Sequence, residues 1–246
     1  MRITSHKSRG GRNAVRVATC ALVCLLTIPA AAAAQEPSKP QPPPPAPATQ
    51  NAAPPNIERW EDDFSGTALD ETKWERYSIE GASSKVAVRD GQLQLRGAGG
   101  SRAGVRSKNT FNGDRFAVEA TIGKVGERYP ESGSAGAPPG NAIIAVLFGG
   151  RADRLEWVMT SEGRFEAWLM RDDRSERLDS KNLGTREKTP RLSIARRGDE
   201  VYFMLNGQIG LQKTIKALPN NFRVMLYGFG SSENNWDAVV VQTLKQ

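Results

Sequence analysis

Short runs in which apolar and polar residues alternate follow one another from residue 57 to residue 244. Successive side chains of a β-strand point to opposite faces, so this alternation indicates strands with one apolar face. Gly, Asn, Asp and Pro separate the runs, and no comparable helical periodicity is present. The pattern predicts twelve strands, over residues 57–64, 85–88, 92–96, 115–122, 141–148, 154–160, 164–170, 191–197, 201–205, 208–213, 222–227 and 236–244.

Two connections between these runs are typical of β-hairpins. Asn206-Gly207 separates VYFML from QIGLQK, which is the pattern of a two-residue turn. Ser161-Glu162-Gly163 separates LEWVMT from RFEAWLM, which indicates a three-residue turn. Short strands and hairpins at this spacing predict that residues 57–246 form an all-β, antiparallel sandwich of two sheets.

The hairpin of residues 154–170 divides into two faces by the parity of its positions. One face is apolar and consists of Leu155, Trp157, Met159, Phe165, Ala167 and Leu169. The other face is mixed and consists of Glu156, Val158, Thr160, Arg164, Glu166, Trp168 and Met170. The apolar face is expected to join the core, which leaves the mixed face for solvent or a ligand.

Residues 1–34 have the three parts of a secretory signal peptide. Five bases and no acid precede residue 17, residues 17–28 are mostly apolar, and residues 30–34 are all alanine. We expect cleavage after Ala34 and a secreted, periplasmic or cell-envelope location. The alternative is an uncleaved membrane anchor, since residues 17–34 are just long enough to cross a bilayer.

Residues 35–56 read as a proline-rich spacer. Nine of the nineteen residues from 37 to 55 are proline, which lacks a backbone donor and fixes φ. This segment is expected to be a disordered, solvated polyproline chain rather than part of a helix or sheet. It is interpreted as a stalk if the leader stays in the membrane, or as a tail if the leader is removed.

The charge of the chain is concentrated in the leader. The formal net charge of the 246 residues is +7, but without residues 1–34 there remain 29 bases against 27 acids. A nearly neutral mature chain gives no electrostatic reason to expect a nucleic-acid partner. The one histidine, His6, and both cysteines, Cys20 and Cys24, also lie in the leader. The mature chain therefore lacks a catalytic triad, a cysteine nucleophile, disulfides and His or Cys metal ligands.

Five blocks, in this order, resemble those of concanavalin-A-like jelly-roll domains. They are WEDDFSGTALDETKW (60–74), VAVRDGQLQLRG (86–97), GVRSKNTFNGDRFAVEATIG (104–123), RLSIARRGDEVYFMLNGQ (191–208) and NNWDAVVVQTL (234–244). The fourth block is similar to the paired strands of laminin-G-like domains. The resemblance implies a concanavalin-A-like jelly roll, a fold shared by lectins, carbohydrate-binding modules and laminarinase-type hydrolases.

The laminarinase-type enzymes carry a Glu-x-Asp-x-x-Glu strand, and this sequence has no such strand. The nearest acidic group is Glu156, Glu162 and Glu166, but Glu162 falls in a turn and no Asp lies between them. Retaining hydrolysis needs two carboxyl groups about 5–5.5 Å apart, which that motif supplies. The departure argues against hydrolysis of this type.

The mixed face of the hairpin is the candidate ligand site. Trp168 offers an indole for stacking on a sugar ring, Glu156 and Glu166 offer acceptors for hydroxyl groups, and Arg164 offers a donor. The alternative is a solvated outer face, in which Arg164 and Arg154 balance the two glutamates. Trp60, Trp74 and Trp236 lie in the resembling blocks and are expected in the core.

Other residues are assigned to the same site or to a metal. Glu119 and Tyr227 would join Trp168 if their strands face the same way, and Tyr129 would reach its rim from the loop 126–140. Some relatives hold calcium where the terminal strands meet, so the resemblance implies a structural calcium at Asp63 and Asp237. The alternative for both acids is a backbone hydrogen bond. No other cofactor is expected.

The sequence thus indicates an exported, non-catalytic binding module, with a glycan or a cell-envelope component as its expected partner. A glycoside hydrolase or lyase with an atypical Asp/Glu site is the second hypothesis, and a structural or interaction domain of the envelope is the third. A membrane partner is expected only if the leader is an uncleaved anchor. The basic pairs Arg196-Arg197 and Arg171/Arg174 are interpreted as solvated charge.

If the leader is a cleaved signal, the mature protein begins near Gln35. N-terminal sequencing of protein isolated from its native host measures this directly. An intact Met1 start in a membrane fraction would favour the anchor instead.

Overall fold

The computed structural model of the protein describes residues 56–78, 85–96, 102–125, 140–149, 153–183, 189–229 and 233–244. Within these ranges the chain forms sixteen strands and no helix, and hence no helix that could cross a bilayer. The predicted leader and the predicted spacer, except for Asn56, lie outside the described residues.

The strands form two antiparallel sheets of eight strands each. The first sheet has the order β14-β13-β12-β7-β16-β4-β3, with β1 paired to β16. Its strands are β1 Ile57–Asp62, β3 Lys85–Arg89, β4 Gln92–Arg96, β7 Arg115–Lys124, β12 Arg191–Arg197, β13 Glu200–Leu205, β14 Gln208–Thr214 and β16 Glu233–Leu244.

The second sheet has the order β11-β10-β9-β8-β15-β5-β2, with β6 paired to β15. Its strands are β2 Trp74–Ser78, β5 Arg102–Ser107, β6 Phe111–Asn112, β8 Asn141–Phe148, β9 Arg154–Thr160, β10 Phe165–Arg171, β11 Arg174–Lys181 and β15 Asn221–Phe229. The predicted antiparallel two-sheet sandwich is confirmed.

Four observed strands, β2, β5, β6 and β11, are not among the predicted twelve. The sequence of β11 is RSERLDSK, which has polar residues at both parities and so no apolar alternation to detect. It is an edge strand paired only to β10, where polar side chains can remain in solvent. Pairing with a neighbour, rather than an apolar face, therefore makes this segment a strand.

The predicted two-residue hairpin is confirmed by its backbone. Asn206 and Gly207 have φ of 53° and 79°, the left-handed values that let a turn follow the twist of the strands. The β10–β11 hairpin turns at Asp172 and Asp173, with φ of 50° and 58° and no glycine. Asp tolerates this conformation better than most residues, and the missing glycine explains why the turn was not predicted.

The core lies between the sheets and is lined by alternate positions of the strands. The predicted apolar face of the 154–170 hairpin is part of it: Trp157 and Phe165 are fully buried, with ring centroids 5.7 Å apart. Trp74 and Trp236 are also fully buried, as expected. Trp60 is half-buried and packs edge-on against Trp74 at 5.3 Å.

One buried carboxylate, at the end of β1, joins that strand to the core by hydrogen bonds. Asp62 Oδ2 accepts a hydrogen bond from Trp74 Nε1 at 2.8 Å, and its Oδ1 accepts one from the backbone N–H of Phe64 at 2.9 Å. The second bond supports Phe64 in a left-handed conformation, with φ of 52°. The neighbouring Asp63 is exposed.

The expectation that Arg196 is solvated charge is wrong. Arg196 is buried, and its guanidinium donates to the carbonyl oxygens of Gly198, Leu218 and Pro219 at 2.7–2.9 Å. Burial lowers the pKa of Arg196, because removal from water disfavours the charged form. The side chain therefore stabilises the backbone of the segment that precedes β15.

Replacement of Asp62 by alanine should lower the free energy of unfolding by about 1–3 kcal/mol, because it leaves the buried Trp74 N–H without its acceptor. Denaturant unfolding measures the loss. The matched control is Asp63→Ala, which changes the same residue type one position away in solvent and should have a smaller effect. Equal losses for the two variants would contradict this role of Asp62.

Candidate ligand-binding site

The face of the second sheet that points away from the core is apolar at its centre. Its central side chains form a second hydrophobic cluster, distinct from the core. The cluster consists of Ile143, Ala145, Leu147, Val158, Met225 and Tyr227, all buried. Trp168 and Tyr77, both half-buried, pack against it. We refer to this surface as the outer face of the second sheet.

A cavity of about 280 Å³ opens on this face beside Trp168. Its lining combines one indole, two carboxylates, one phenol and apolar side chains. The lining residues are Asn141, Ile143, Glu156, Val158, Glu166, Trp168, Met170, Ser175 and Tyr227. The structure thus brings together four of the sequence-predicted site residues, from strands β9, β10 and β15. We call this the Trp168 cavity.

Glu156 is the most buried charged group of the cavity. Its Oε1 accepts hydrogen bonds from Arg154 Nε and from the Tyr227 hydroxyl. Burial by itself disfavours the Arg154 cation, but the adjacent Glu156 carboxylate outweighs it and the pKa of Arg154 is raised above its usual value. The three side chains form one buried polar network on an apolar floor.

Glycine at position 104 makes room for this network. Gly104 lies opposite Tyr227 in the β5–β15 ladder. A Cβ added at Gly104 would lie 2.6 Å from the Tyr227 Cβ, closer than real Cβ contacts. The absence of a side chain there lets the Tyr227 ring lie against the sheet and direct its hydroxyl toward Glu156.

Glu166 holds Trp168 in place at the edge of the cavity. The indole Nε1 of Trp168 donates to Glu166 Oε2 at 3.1 Å, and Arg164 Nε lies 3.1 Å from Glu166 Oε1. The Arg177 guanidinium lies over the Trp168 ring, 5.9 Å from its centroid. Each glutamate thus pairs with an arginine, as the alternative of a solvated outer face also predicts. Both glutamates nevertheless line a cavity, as a ligand site requires.

Three predicted site residues do not line the cavity as described: Arg164, which pairs with Glu166 beside it, Glu119 and Tyr129. Glu119 lies on β7 in the other sheet, where its carboxylate accepts from Ser193 Oγ at 3.0 Å and lies 3.5 Å from Arg191 Nη1. Its strand does not face the same way as β10, so the expectation that Glu119 joins Trp168 is wrong. Tyr129 lies outside the described residues.

Asp63 and Asp237, the two residues assigned to calcium, each accept a hydrogen bond within the protein. The Asp63 carboxylate accepts from the backbone N–H of Ser65 at 3.1 Å, and hydrogen bonds from the Ser65 side chain and backbone lower the pKa of Asp63. Asp237 Oδ1 accepts from Gln92 Nε2 at 2.6 Å. Among the described residues no group of three or more acidic, His or Cys side chains could hold a metal ion. Asp63 makes the backbone hydrogen bond of the alternative interpretation, whereas Asp237 accepts from a side chain on the neighbouring strand β4.

The opposite end of the outer face, at β2 and β5, carries side chains that were not among the predicted site residues. There Tyr77 packs under Arg106, whose guanidinium is 4.9 Å from the ring centroid, and Arg106 Nε donates to Glu75 Oε1 at 2.6 Å. Glu75 and Tyr77 alternate with the buried Trp74 in β2, and that parity is a signal the sequence contained. It was missed because β2 and β5 were not predicted as strands.

Comparison with known proteins identifies the fold. No protein-family model matches the sequence, and no match is found among curated proteins. Similar solved structures include SCLam, a non-specific endo-β-1,3(4)-glucanase from family GH16, with a TM-score of 0.57 and 13% identity over 79% of this chain and 94% of SCLam. The carbohydrate recognition domain of Emp47p has a TM-score of 0.57 and 11% identity, over 76% of this chain and 95% of that domain.

A third similar structure comes from work on endo-acting O-glycanases of the human gut microbiota. Its TM-score is 0.55 and its identity 15%, over 76% of this chain and 99% of that one. Identities this low establish the fold alone. The chain has the concanavalin-A-like jelly-roll fold that its sequence blocks predict.

Replacement of Glu156 by glutamine should lower the free energy of unfolding by roughly 2–4 kcal/mol, since it leaves the buried Arg154 cation without its carboxylate. The same change at Glu166 should cost roughly 0–1 kcal/mol, because the Arg164 side chain is 47% exposed. Denaturant unfolding of the two variants tests the difference. A loss at Glu166 as large as that at Glu156 would contradict this account of their partners.

Proposed function

We propose that this protein is an exported, non-catalytic carbohydrate-binding module that binds a glycan at the Trp168 cavity. The observation that carries the proposal is the composition of the cavity: Trp168 and an apolar floor meet Glu156, Glu166 and Tyr227 in one concave site. Ligand sites are typically concave and mostly apolar, with a few converging polar groups.

A sugar has the matching chemistry. Its ring presents apolar C–H faces that can pack on the Trp168 indole, and its hydroxyl groups can donate to the carboxylates of Glu156 and Glu166. The indole is oriented by its own bond to Glu166, so binding need not immobilise it. A preorganised aromatic ring beside charged acceptors favours a glycan over a purely apolar ligand.

The similar structures support the same ligand class. One is described as a non-specific endo-β-1,3(4)-glucanase, one comes from work on endo-acting O-glycanases, and one is described as a carbohydrate recognition domain. Carbohydrate is thus common to neighbours that cleave their ligand and to neighbours that only bind it. This agreement supports a glycan as the partner, and export to the cell envelope or medium follows from the predicted leader.

The absence of catalysis is proposed from the sequence and from Glu156. The chain lacks the Glu-x-Asp-x-x-Glu strand. Glu156 Oε1 already accepts hydrogen bonds from both Arg154 and Tyr227, so this carboxylate is occupied by a structural network rather than held ready for a leaving group.

A glycan-cleaving enzyme is the second candidate, because two carboxyl groups line the same cavity. Glu156 lies opposite Trp168 in the β9–β10 ladder, and Glu166 lies two positions from Trp168 on β10. Diagonal neighbours in a sheet are within reach of each other through long side chains. Glycan cleavage by Glu156 and Glu166 is therefore the activity that the binding proposal must exclude by experiment.

Trp168→Ala should weaken glycan binding by roughly 1–3 kcal/mol, because it removes the stacking surface. Trp168→Phe should weaken binding less, since it keeps an aromatic ring and loses only the N–H donor. Isothermal titration calorimetry with glycans selected on an array measures both. Tyr202→Ala is the matched control, because Tyr202 is a half-buried aromatic residue in β13 of the first sheet.

Three results would contradict the proposal. Equal affinity of folded Trp168→Ala and the wild type would exclude the Trp168 cavity as the site. Steady release of reducing sugar from β-1,3 or β-1,4 glucans, abolished by Glu156→Gln or Glu166→Gln in folded protein, would favour the enzyme. Absence of any glycan ligand would favour a structural or interaction domain.

A further inference from the structure

The outer face of the second sheet carries more positive than negative charge. Its described charged side chains are five arginines and three glutamates: Arg106, Arg154, Arg164, Arg177, Arg223, Glu75, Glu156 and Glu166. The pairs Arg154–Glu156 and Arg164–Glu166 neutralise each other. The surplus of two positive charges therefore belongs to the remaining three arginines and Glu75.

One surplus charge lies at the Tyr77 end of the face. A single carboxylate oxygen, Glu75 Oε1, accepts from both Arg106 Nε at 2.6 Å and Arg223 Nη2 at 2.7 Å. Burial of Glu75 disfavours its charged form, but the two guanidiniums outweigh this and hold the pKa of Glu75 below its usual value. One carboxylate balances only one of the two arginines, and Arg106 is the one that lies over the Tyr77 ring.

The other surplus charge lies at the Trp168 end. Arg177 is exposed and lies over the Trp168 ring. Its contact among the described residues is with that ring, and no described carboxylate forms an ion pair with it. A cation over an aromatic face keeps its full charge and its hydrogen-bond donors for a third group.

The two ends thus have the same composition, an aromatic ring with an arginine above it. They are separated by the strands between β10 and β2, which follow the order β10-β9-β8-β15-β5-β2. Five steps of about 4.8 Å between neighbouring strands place the ends roughly 24 Å apart along the sheet. The apolar floor and the Trp168 cavity lie between them.

We propose that the glycan bound here is an anionic polysaccharide, whose carboxylate or sulfate groups pair with Arg177 at one end and with the Arg106–Arg223 pair at the other. This inference rests on the proposed function and names its ligand class. A guanidinium is a planar fork of donors that matches two oxygens of a carboxylate or sulfate. A ring beneath each guanidinium packs against the sugar that carries the anionic group.

The separation of the two ends favours a polymer over a single sugar. One anionic sugar reaches one arginine, whereas a chain with an anionic group on many residues engages both ends together. The second contact then forms within a complex already made, which raises the overall affinity without a new kind of interaction. The near-neutral net charge of the mature chain does not reveal this surface, because its two surplus charges are local.

Paired polymers test the ligand class with the full chain. Polygalacturonate is compared with its carboxyl-reduced form, and dextran sulfate with dextran, so each pair differs only in its anionic groups. We expect at least one anionic polymer to bind roughly tenfold or more tightly than its neutral counterpart, equivalent to about 1.4 kcal/mol. Which pair shows the difference distinguishes carboxylate from sulfate.

Single variants test the residues in both directions. Arg177→Gln and Arg106→Gln each remove one surplus charge and should weaken binding of the anionic polymer by roughly tenfold. Glu75→Gln adds one surplus charge and should strengthen it. Arg191→Gln is the matched control, since it also removes one charge from a partly exposed ion pair, on the first sheet, and should have no effect. Every variant carries the same basic leader, so non-specific attraction of the polymer to the leader does not differ between the control and the test variants.

The outcomes separate this inference from the proposed function. In one outcome the neutral and anionic polymers bind equally, Trp168→Ala loses this binding, and Arg177→Gln and Arg106→Gln leave it unchanged. That outcome would overturn the anionic ligand but keep the glycan site. An Arg191→Gln effect as large as that of Arg177→Gln, or an unchanged affinity in Glu75→Gln, would also overturn it. Folded Trp168→Ala that binds both polymers like the wild type would contradict the proposed function itself.

Discussion

Two central strands of the second sheet, β8 and β9, are buried on both faces, and the arrangement of side chains around them depends on this constraint. Every residue of β9 is buried, and so is every residue of β8 after Asn141. In most antiparallel sandwiches one face of a sheet packs on the core and the other is solvated. Here the inner face packs on the first sheet, while the outer face is itself apolar at its centre.

This constraint explains why the buried charged groups on that face, Arg154 and Glu156, are paired so closely. Glu156 lies on a strand with no solvated side, and a lone buried carboxylate would be costly. Arg154 and Tyr227 supply a cation and a donor, and Gly104 lets the tyrosine approach. The result is a rigid polar network on an apolar floor, which can recognise a ligand that has both hydroxyl groups and apolar faces.

The fold was largely predictable because its signals are local. Alternation gave most strands of the sandwich, and Asn206-Gly207 gave its hairpin. The two-sided burial of β8 was also readable, since NAIIAVLF is a continuous apolar run, which indicates a strand buried on both faces. Of the strands that were missed, β11 has polar residues at both parities and depends on pairing to its neighbour, whereas β2 and β5 are short strands with few apolar residues.

The sequence by itself determined the parity of each strand, the turns, and the residue types available for chemistry, with neither His nor Cys after residue 34. It therefore placed Trp168, Glu156 and Glu166 on one face of one hairpin. Only the tertiary structure decided which distant residues join them, namely Tyr227 and not Glu119. The physical reason is that parity depends on neighbours along the chain, whereas the sheet to which a strand belongs depends on pairing between segments far apart in sequence.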